Sequence, residues 1–413
     1  MRCDSCKYRL GGNFFNKEYP DTPLNWDDKI WSTGSYSDAV ASEYIPGYYD
    51  ESSGIDTRDA VLMFPGGSCN ANMVLNVNGD YTISRIDHEH GQYGVTMDMA
   101  GMLDSGAKDS SITIKALDPS AETYDFIVVG SAVKYEEGKH ELSYTAFNGG
   151  TVKLTGLNDG GIAQIKVYCN NASTSDLISP NSLIFSETTT FISESDLKFI
   201  GDTSSSTDPK NLQSTVDLNG TTIIGSNSGT DENPEWAYKD MTIGNSTSSV
   251  QGNSLTVNVG GNLTANSLTQ NVKTVVNLSG NMDLVAPLTD SWNVSNAASN
   301  FAALKILGSF VVKDGGSLNL SGQAGSATNG AIYVGAGGSF VLESGAEVRL
   351  DNAALRSTAY SSSTAANIDV QSGSELSSAA FWLGDNTQIS VAGKVDVSSS
   401  SGIYSYGKIL CLR

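Results

Sequence analysis

The residue types best suited to catalysis lie late in the chain, where Glu347, Arg349 and Asp351 occupy every second position. In a β-strand this spacing places the three charged side chains on one face, opposite the apolar residues between them. Glycoside hydrolysis needs two carboxylates about 5 to 10 Å apart. A cation between them could bind an acidic sugar, and Arg356 follows a few residues later. A solvated strand face with a local charge ladder produces the same pattern, and we favour this interpretation.

A second group with ligand chemistry is the run Asp87, His88, Glu89 and His90. Imidazole and carboxylate groups bind divalent metals, and His88 and His90 would share one face of a strand. No third ligand from elsewhere in the chain can be assigned from the sequence. A polar hairpin tip is therefore the favoured interpretation.

Five cysteines are scattered along the chain: Cys3, Cys6, Cys69, Cys169 and Cys411. Their odd number and wide spacing do not indicate a disulfide framework. Cys3 and Cys6 have the spacing of half a structural zinc site, which requires four ligands, but no second close pair follows. We favour an N-terminal tail with incidental thiols.

The composition excludes several classes of function. The 413 residues include 45 acidic and 24 basic side chains, which gives a net charge of −21. Nucleic-acid phosphates require a basic face, and no apolar run reaches the roughly 18 residues of a membrane-spanning helix. The chain also lacks a phosphate-binding glycine loop and a serine nucleophile elbow. The sequence therefore predicts no catalytic, cofactor-binding or metal-binding residue, no cofactor, no nucleic-acid partner and no membrane-embedded segment.

Short β-strands must position any site in this chain. From about Ala60 onward, apolar residues recur at every second position, as in Leu255, Val257 and Val259. Such runs predict strands with one buried side, and the segments between them are rich in Gly, Asn, Asp and Ser, as turns require. Only two short helices are predicted, near residues 37–44 and 296–307.

Two internal repeats indicate how the strands are arranged. Val257–Leu263 returns as Val276–Met282, 19 residues later, and Val312–Leu318 returns as Val334–Phe340, 22 residues later. Repeats of about twenty residues are typical of stacked solenoid coils, in which Asn and Ser at the turns could form ladders. The sequence therefore predicts an all-β chain, a right-handed parallel β-helix with an N-terminal cap. Tandem antiparallel β-sandwiches are the alternative, because they also have short strands every 8 to 12 residues or so.

Three regions are predicted along the chain. Residues 1–59 form an N-terminal tail and a cap containing tryptophan, and residues 60–180 are β-rich and supply the first coils. Residues 181–413 are the main β-solenoid, which we expect to be truncated at its C-terminus. Polar segments at 202–209 and 226–234 are predicted to leave the coils as loops, where binding functions tend to sit.

The N-terminal region contains a pattern of aromatic, Gly, Pro and Asp residues: Trp26, Trp31, Gly34, Pro46, Asp59, Val61 and Phe64. This pattern, followed by coils rich in Gly, Asn, Ser and Thr, resembles the beginning of bacterial autotransporter-like and adhesin-like passenger regions. The insert between Gly34 and Asp59 is a departure from the pattern. The resemblance implies a parallel β-helix that is exported to the bacterial surface or the medium. It implies glycans, or surface molecules of a host or neighbouring cell, as partners.

The expected function is an extracellular or cell-surface scaffold with an adhesive or structural role and no catalysis, although no signal peptide is visible. The alternative is a polysaccharide-active enzyme, a lyase or glycoside hydrolase of the β-helix class. An enzyme should bring carboxylates and basic side chains from successive coils together in a cleft. An adhesin should show dispersed charge and an uninterrupted surface of Asn, Ser and Thr.

Overall fold

The structure, a computed structural model, describes residues 7–10, 24–27, 31–33, 40–41, 44–64, 72–88, 94–100, 110–131, 143–169, 181–201, 214–230, 232–245, 255–286, 302–320, 330–350, 354–357, 364–378, 380–384, 386–397, 403–405 and 408–411. Within these ranges all 42 regular elements are β-strands, and no helix is long and apolar enough to span a membrane.

The chain divides into two units. One comprises Met1–Thr221 with Ser249–Ser254, and the other comprises Thr222–Ser248 with Leu255–Arg413. The region boundaries predicted after residues 59 and 180 stay predictions.

The first unit contains strands β1 (Lys7–Leu10), β2 (Leu24–Asn25), β3 (Trp31–Thr33), β4 (Val40–Ala41), β5 (Tyr49–Asp50), β6 (Ile55–Asp56), β7 (Val61–Met63), β8 (Met73–Asn76), β9 (Asp80–Ile83), β10 (Arg85–His88), β11 (Val95–Asp98), β12 (Ser111–Lys115), β13 (Thr123–Ser131), β14 (Ser143–Asn148), β15 (Thr151–Thr155), β16 (Ile162–Cys169), β17 (Asn181–Phe185), β18 (Thr190–Ser193), β19 (Asp196–Ile200) and β20 (Ser214–Leu218). Each strand from β7 to β17 pairs in parallel with the strand three places later in the chain. Three consecutive strands therefore make one coil and contribute to three different parallel sheets.

The second unit contains strands β21 (Thr221–Asn227), β22 (Trp236–Tyr238), β23 (Met241–Ile243), β24 (Leu255–Val259), β25 (Asn262–Ala265), β26 (Leu268–Gln270), β27 (Thr274–Leu278), β28 (Asn281–Leu284), β29 (Leu304–Ile306), β30 (Ser309–Val312), β31 (Ser317–Leu320), β32 (Gly330–Val334), β33 (Ser339–Leu342), β34 (Glu347–Leu350), β35 (Ala354–Ser357), β36 (Ala366–Val370), β37 (Glu375–Ser378), β38 (Ala380–Leu383), β39 (Thr387–Val391), β40 (Lys394–Val397), β41 (Ile403–Ser405) and β42 (Lys408–Cys411). From β23 onward the same rule of parallel pairing between strands three places apart applies. Each unit is thus a parallel β-helix, which confirms the predicted fold class.

Antiparallel pairing is restricted, in the part of the chain that the structure describes, to β1 with β3, β3 with β4, β5 with β6, and β21 with β22. The alternative of tandem antiparallel β-sandwiches is therefore wrong. A sandwich would require antiparallel neighbours throughout its sheets, whereas here each strand meets its equivalent in the next coil.

The core of each coil consists of inward-facing apolar side chains that pack in rows. In the second unit Val257 and Val276 are directly paired in adjacent strands, and both are fully buried. In the first unit the rings of Phe147 and Phe185 stack with centroids 5.2 Å apart. Burial of one such side chain stabilises a protein by about 1.5–3 kcal/mol, so each coil depends on its neighbours for stability.

Asparagine ladders accompany this core in the second unit. Asn277 Nδ2 donates to Asn258 Oδ1 at 2.9 Å, and Asn281 Nδ2 donates to Asn262 Oδ1 at 2.9 Å. Ladders between coils are therefore present, but these four residues lie in strands β24, β25, β27 and β28 rather than at the turns where the sequence predicted them. They satisfy amide groups that would otherwise compete with the backbone hydrogen bonds of the strands.

The two sequence repeats have different outcomes. The 19-residue repeat gives the observed register, with Val257 opposite Val276. The register predicted from the 22-residue repeat is wrong, because Val312 does not pair with Val334. Val312 pairs with Leu342, and Val334 lies in another sheet and pairs with Ile306. The similarity arises because equivalent glycine turns occur at two different corners of a coil.

One predicted helix is wrong in the part that the structure describes. In the candidate at 296–307, Leu304–Ile306 forms β29 and pairs with β26 and β32. Stacking between two coils satisfies its backbone groups and overrides local helix propensity. In the candidate at 37–44, Val40–Ala41 forms strand β4, and most of the remainder lies outside the described residues.

Candidate functional site

Two of the charged residues predicted as a candidate catalytic face form an ion pair that is exposed to solvent. Glu347 and Arg349 lie on the outward face of β34, between buried residues, with side chains 39% and 62% exposed. Arg349 Nε donates to Glu347 Oε1 at 2.7 Å. Exposed pairs of this kind contribute about 1 kcal/mol or less to stability. The favoured interpretation, a solvated face with a charge ladder, agrees with this geometry.

Arg356 is separated from that pair. It lies in β35, in a different sheet, where its neighbours in register are Tyr333 and Trp382. Its side chain is buried, with the guanidinium carbon 5.1 Å from the Trp382 ring centroid. Burial lowers the pKa of Arg356 to about 9. Arg349 and Arg356 are close in sequence, but they face different surroundings because β34 and β35 belong to different sheets.

The candidate metal ligands Asp87 and His88 also point in opposite directions. Asp87 faces outward and accepts a hydrogen bond from Arg85 Nη2 at 3.0 Å. His88 faces the core, where its Nδ1 lies 2.8 Å from Thr145 Oγ1 and its ring contacts Phe64 edge-on. Burial lowers the pKa of His88 to about 4. Among the described residues no group of three His, Cys, Asp or Glu side chains could hold a metal ion.

Several other predicted positions lie outside the described residues. These are Cys3, Cys6, Cys69, Glu89, His90, Asp351 and the loop at 202–209. Cys169 and Cys411 occupy the last positions of β16 and β42.

The two tryptophans of the predicted cap occupy different elements. Trp26 follows β2 and is fully buried, with its ring stacked on Tyr81 at a centroid distance of 4.8 Å. The Tyr81 hydroxyl donates to Asp27 Oδ1 at 2.6 Å. Trp31 is the first residue of β3. Trp26 and Asp27 thus attach the N-terminal segment to the coil that contains β9.

Two hairpins present aromatic side chains on the surface. The first, called here the tyrosine hairpin, comprises residues 44–58 and includes β5 and β6. Tyr44, Tyr48 and Tyr49 are 43%, 39% and 49% exposed, and they are half of the six large hydrophobic side chains exposed in the described residues. The Arg58 guanidinium lies 3.9 Å from the Tyr49 ring centroid and makes two hydrogen bonds with the Asp56 carboxylate.

The base of the tyrosine hairpin is fixed by hydrogen bonds that are partly or fully buried. Thr57 Oγ1 donates to the Ile45 carbonyl and accepts from the Tyr48 amide, each at 2.8 Å. Trp26 Nε1 donates to the Pro46 carbonyl at 3.0 Å. The exposed tyrosines are therefore presented from an ordered base, which lowers the entropy lost on binding a partner.

The second hairpin, called here the aromatic hairpin, comprises residues 225–238, where β21 pairs with β22. Trp236 and Tyr238 stand two residues apart in β22 and therefore share one face. Their ring centroids are 6.4 Å apart with 20° between the ring planes, and both side chains are partly exposed. The loop predicted at 226–234 is wrong at its start, because Ser226 and Asn227 belong to β21, and the sequence did not lead us to this pair. The alternation Trp-Ala-Tyr directly after the loop was the available signal.

The turn of the aromatic hairpin is held by its own polar groups. Asn227 Oδ1 accepts from the backbone amides of Gly229 and Glu235, each at 2.9 Å. Gly225 faces Tyr238 across the ribbon, and a Cβ at this glycine would lie 3.0 Å from the backbone of Tyr238. A side chain at this position would require the facing strand to move by a few tenths of an ångström, so glycine suits the close approach of the two strands.

No protein-family model matches this chain, and neither the curated proteins nor the solved structures contain a significant match.

Proposed function

We propose that this protein is an extracellular or cell-surface β-helical scaffold with an adhesive role and without catalysis. The observation that carries the proposal is the presentation of exposed and partly exposed aromatic side chains on ordered antiparallel hairpins. Exposed aromatic residues of this kind mark interaction surfaces. The buried rows and asparagine ladders stabilise the coils, so the outward positions and hairpins can vary without loss of the fold.

The arrangement of charge favours binding over polysaccharide cleavage. Glu347 pairs with Arg349 in solvent, whereas Arg356 is buried on another face. Lys166 pairs with Asp125 at 2.6 Å, with both side chains partly exposed. These are dispersed pairs rather than two carboxylates converging on one bond, as glycoside hydrolysis requires.

We further propose membership of the autotransporter-like or adhesin-like class, secreted or held at a bacterial surface, with glycans or cell-surface molecules as partners. Support comes from the sequence pattern around Trp26 and Pro46, because the indole of one donates a hydrogen bond to the carbonyl of the other. Phe64, at the end of the pattern, is also buried. The resemblance thus involves residues with packing roles.

The test measures retention and turnover on the same polymers. The purified chain is passed over immobilised cellulose, mannan, chitin, pectin and alginate, with a heat-unfolded sample as control. We expect folded protein to be retained on at least one polymer, with no release of reducing or unsaturated ends. Turnover would favour the enzyme alternative, and the absence of retention on all polymers and on bacterial or host cells would contradict an adhesive role.

A further inference from the structure

We propose that the Trp236–Tyr238 face of the aromatic hairpin binds the pyranose rings of a neutral polysaccharide with equatorial hydroxyl groups. This inference rests on the proposed adhesive function and assigns to it a site and a ligand class. The paired rings have nearly parallel planes and lie on one face of a two-stranded ribbon.

The ring geometry suits a sugar. A pyranose with equatorial hydroxyls presents flat faces of C–H groups, whereas its hydroxyls project from the rim. Trp and Tyr rings offer flat apolar surfaces whose negatively polarised faces attract C–H groups, and each has a polar group at its edge. The two rings stack, with centroids 6.4 Å apart and 20° between their planes, and both are partly exposed, so they offer a sugar one compact aromatic cluster.

The charge around the hairpin selects a neutral sugar over an acidic one. Glu232, Glu235 and Asp240 are exposed on or beside the hairpin, and Lys239 is the one basic residue among the described positions 225–240. Uronate or sulfate groups would be repelled by these carboxylates. Glu232 and Glu235 can instead accept hydrogen bonds from sugar hydroxyls.

A basic peptide is a less suitable ligand. Asp240 Oδ1 already accepts hydrogen bonds from Asn266 Nδ2 at 2.6 Å and Ser267 Oγ at 2.7 Å. Cations bound by aromatic residues are best held in cages of several rings. The Trp236–Tyr238 face contains one pair of rings, which stack with near-parallel planes.

The hairpin is ordered before a ligand arrives. Asn227 fixes the turn, and the Lys239 amide donates to the Ile224 carbonyl at 2.9 Å where the hairpin rejoins the coil. Binding therefore does not require folding of a loop, which removes a large entropic cost.

The experiment titrates the full chain with cellohexaose, hexagalacturonate and hexalysine by calorimetry and by tryptophan fluorescence. Trp236→Ala and Tyr238→Ala should each weaken cellohexaose binding about tenfold or more, because each removes one ring contact. Leu117→Ala, which removes an exposed apolar side chain outside both hairpins, is the matched control and should bind as the parent does. Hexagalacturonate should bind more weakly than cellohexaose.

Trp236→Phe addresses the risk that an alanine variant disturbs the hairpin. It keeps a ring, so it should retain part of the affinity but lose the change in fluorescence that cellohexaose causes in the parent. Binding of hexalysine in place of cellohexaose, or preference for hexagalacturonate, would overturn the assignment of a neutral sugar. Retention on polysaccharides that is unchanged by Trp236→Ala and Tyr238→Ala would overturn this site and leave the adhesive function standing. Absence of retention on every polymer and cell tested would instead overturn the adhesive function.

Discussion

Acidification from pH 7.5 to pH 4 should destabilise the coils around His88. The folded chain buries the imidazole and lowers its pKa from 6.5 to about 4, so the ring stays neutral in the folded state over a range in which the unfolded chain binds a proton. The stabilisation is therefore fully present above pH 6.5 and is lost as the pH falls toward 4. At about 1.4 kcal/mol per unit of pKa difference, the free energy of unfolding falls by about 3 kcal/mol between pH 6.5 and pH 4.

The assay compares the parent with His88→Asn by hydrogen exchange of β10 and β14, corrected for the intrinsic pH dependence of exchange. Asparagine does not titrate, and its amide can replace Nδ1 as the partner of Thr145, which lies 2.8 Å away. Acidic side chains elsewhere titrate in both proteins, so their effect cancels in the difference. Relative to His88→Asn, the opening free energy of the parent should fall by about 3 kcal/mol between pH 7.5 and pH 4.

A difference that stays constant with pH would refute the reasoning. It would mean that His88 gains a proton equally easily in the folded and unfolded chains, and hence that its ring reaches solvent. A change of opposite sign would mean that the folded state stabilises the imidazolium.

Two further predictions concern the stacking of coils. Val257→Asp should unfold its coils locally, because an unpaired buried carboxylate costs several kcal/mol. Thr256→Asp, on the outward face of the same strand, is the control and should have little effect. Thermal melting of both variants checks this, and equal melting temperatures would place Val257 outside the core. Gly280→Ala should lower stability by about 1–3 kcal/mol, because its Cβ would lie 2.1 Å from the Gly261 carbonyl oxygen in the adjacent coil. Ser279→Ala, at an exposed position, is the control for Gly280→Ala, and denaturant unfolding at equal midpoints would contradict the close approach.

The alternating apolar pattern was sufficient to predict strands and their buried faces. Side chains alternate with a period of two whatever the neighbouring strand is, so Val257 and Val276 could be assigned inward positions from the sequence. The 19-residue repeat also gave their register, because no insertion lies between these coils.

The tertiary structure decided which corner of the coil each turn occupies and which outward positions are covered. Similar glycine turns occur at more than one corner of a coil. The similar segments that begin at Val312 and Val334 therefore belong to different sheets. The sequence cannot distinguish an outward Arg349 in solvent from a buried Arg356, because both occupy polar positions of short strands. Burial depends on which distant segments pack over a strand, and that is a property of the folded chain rather than of any local pattern.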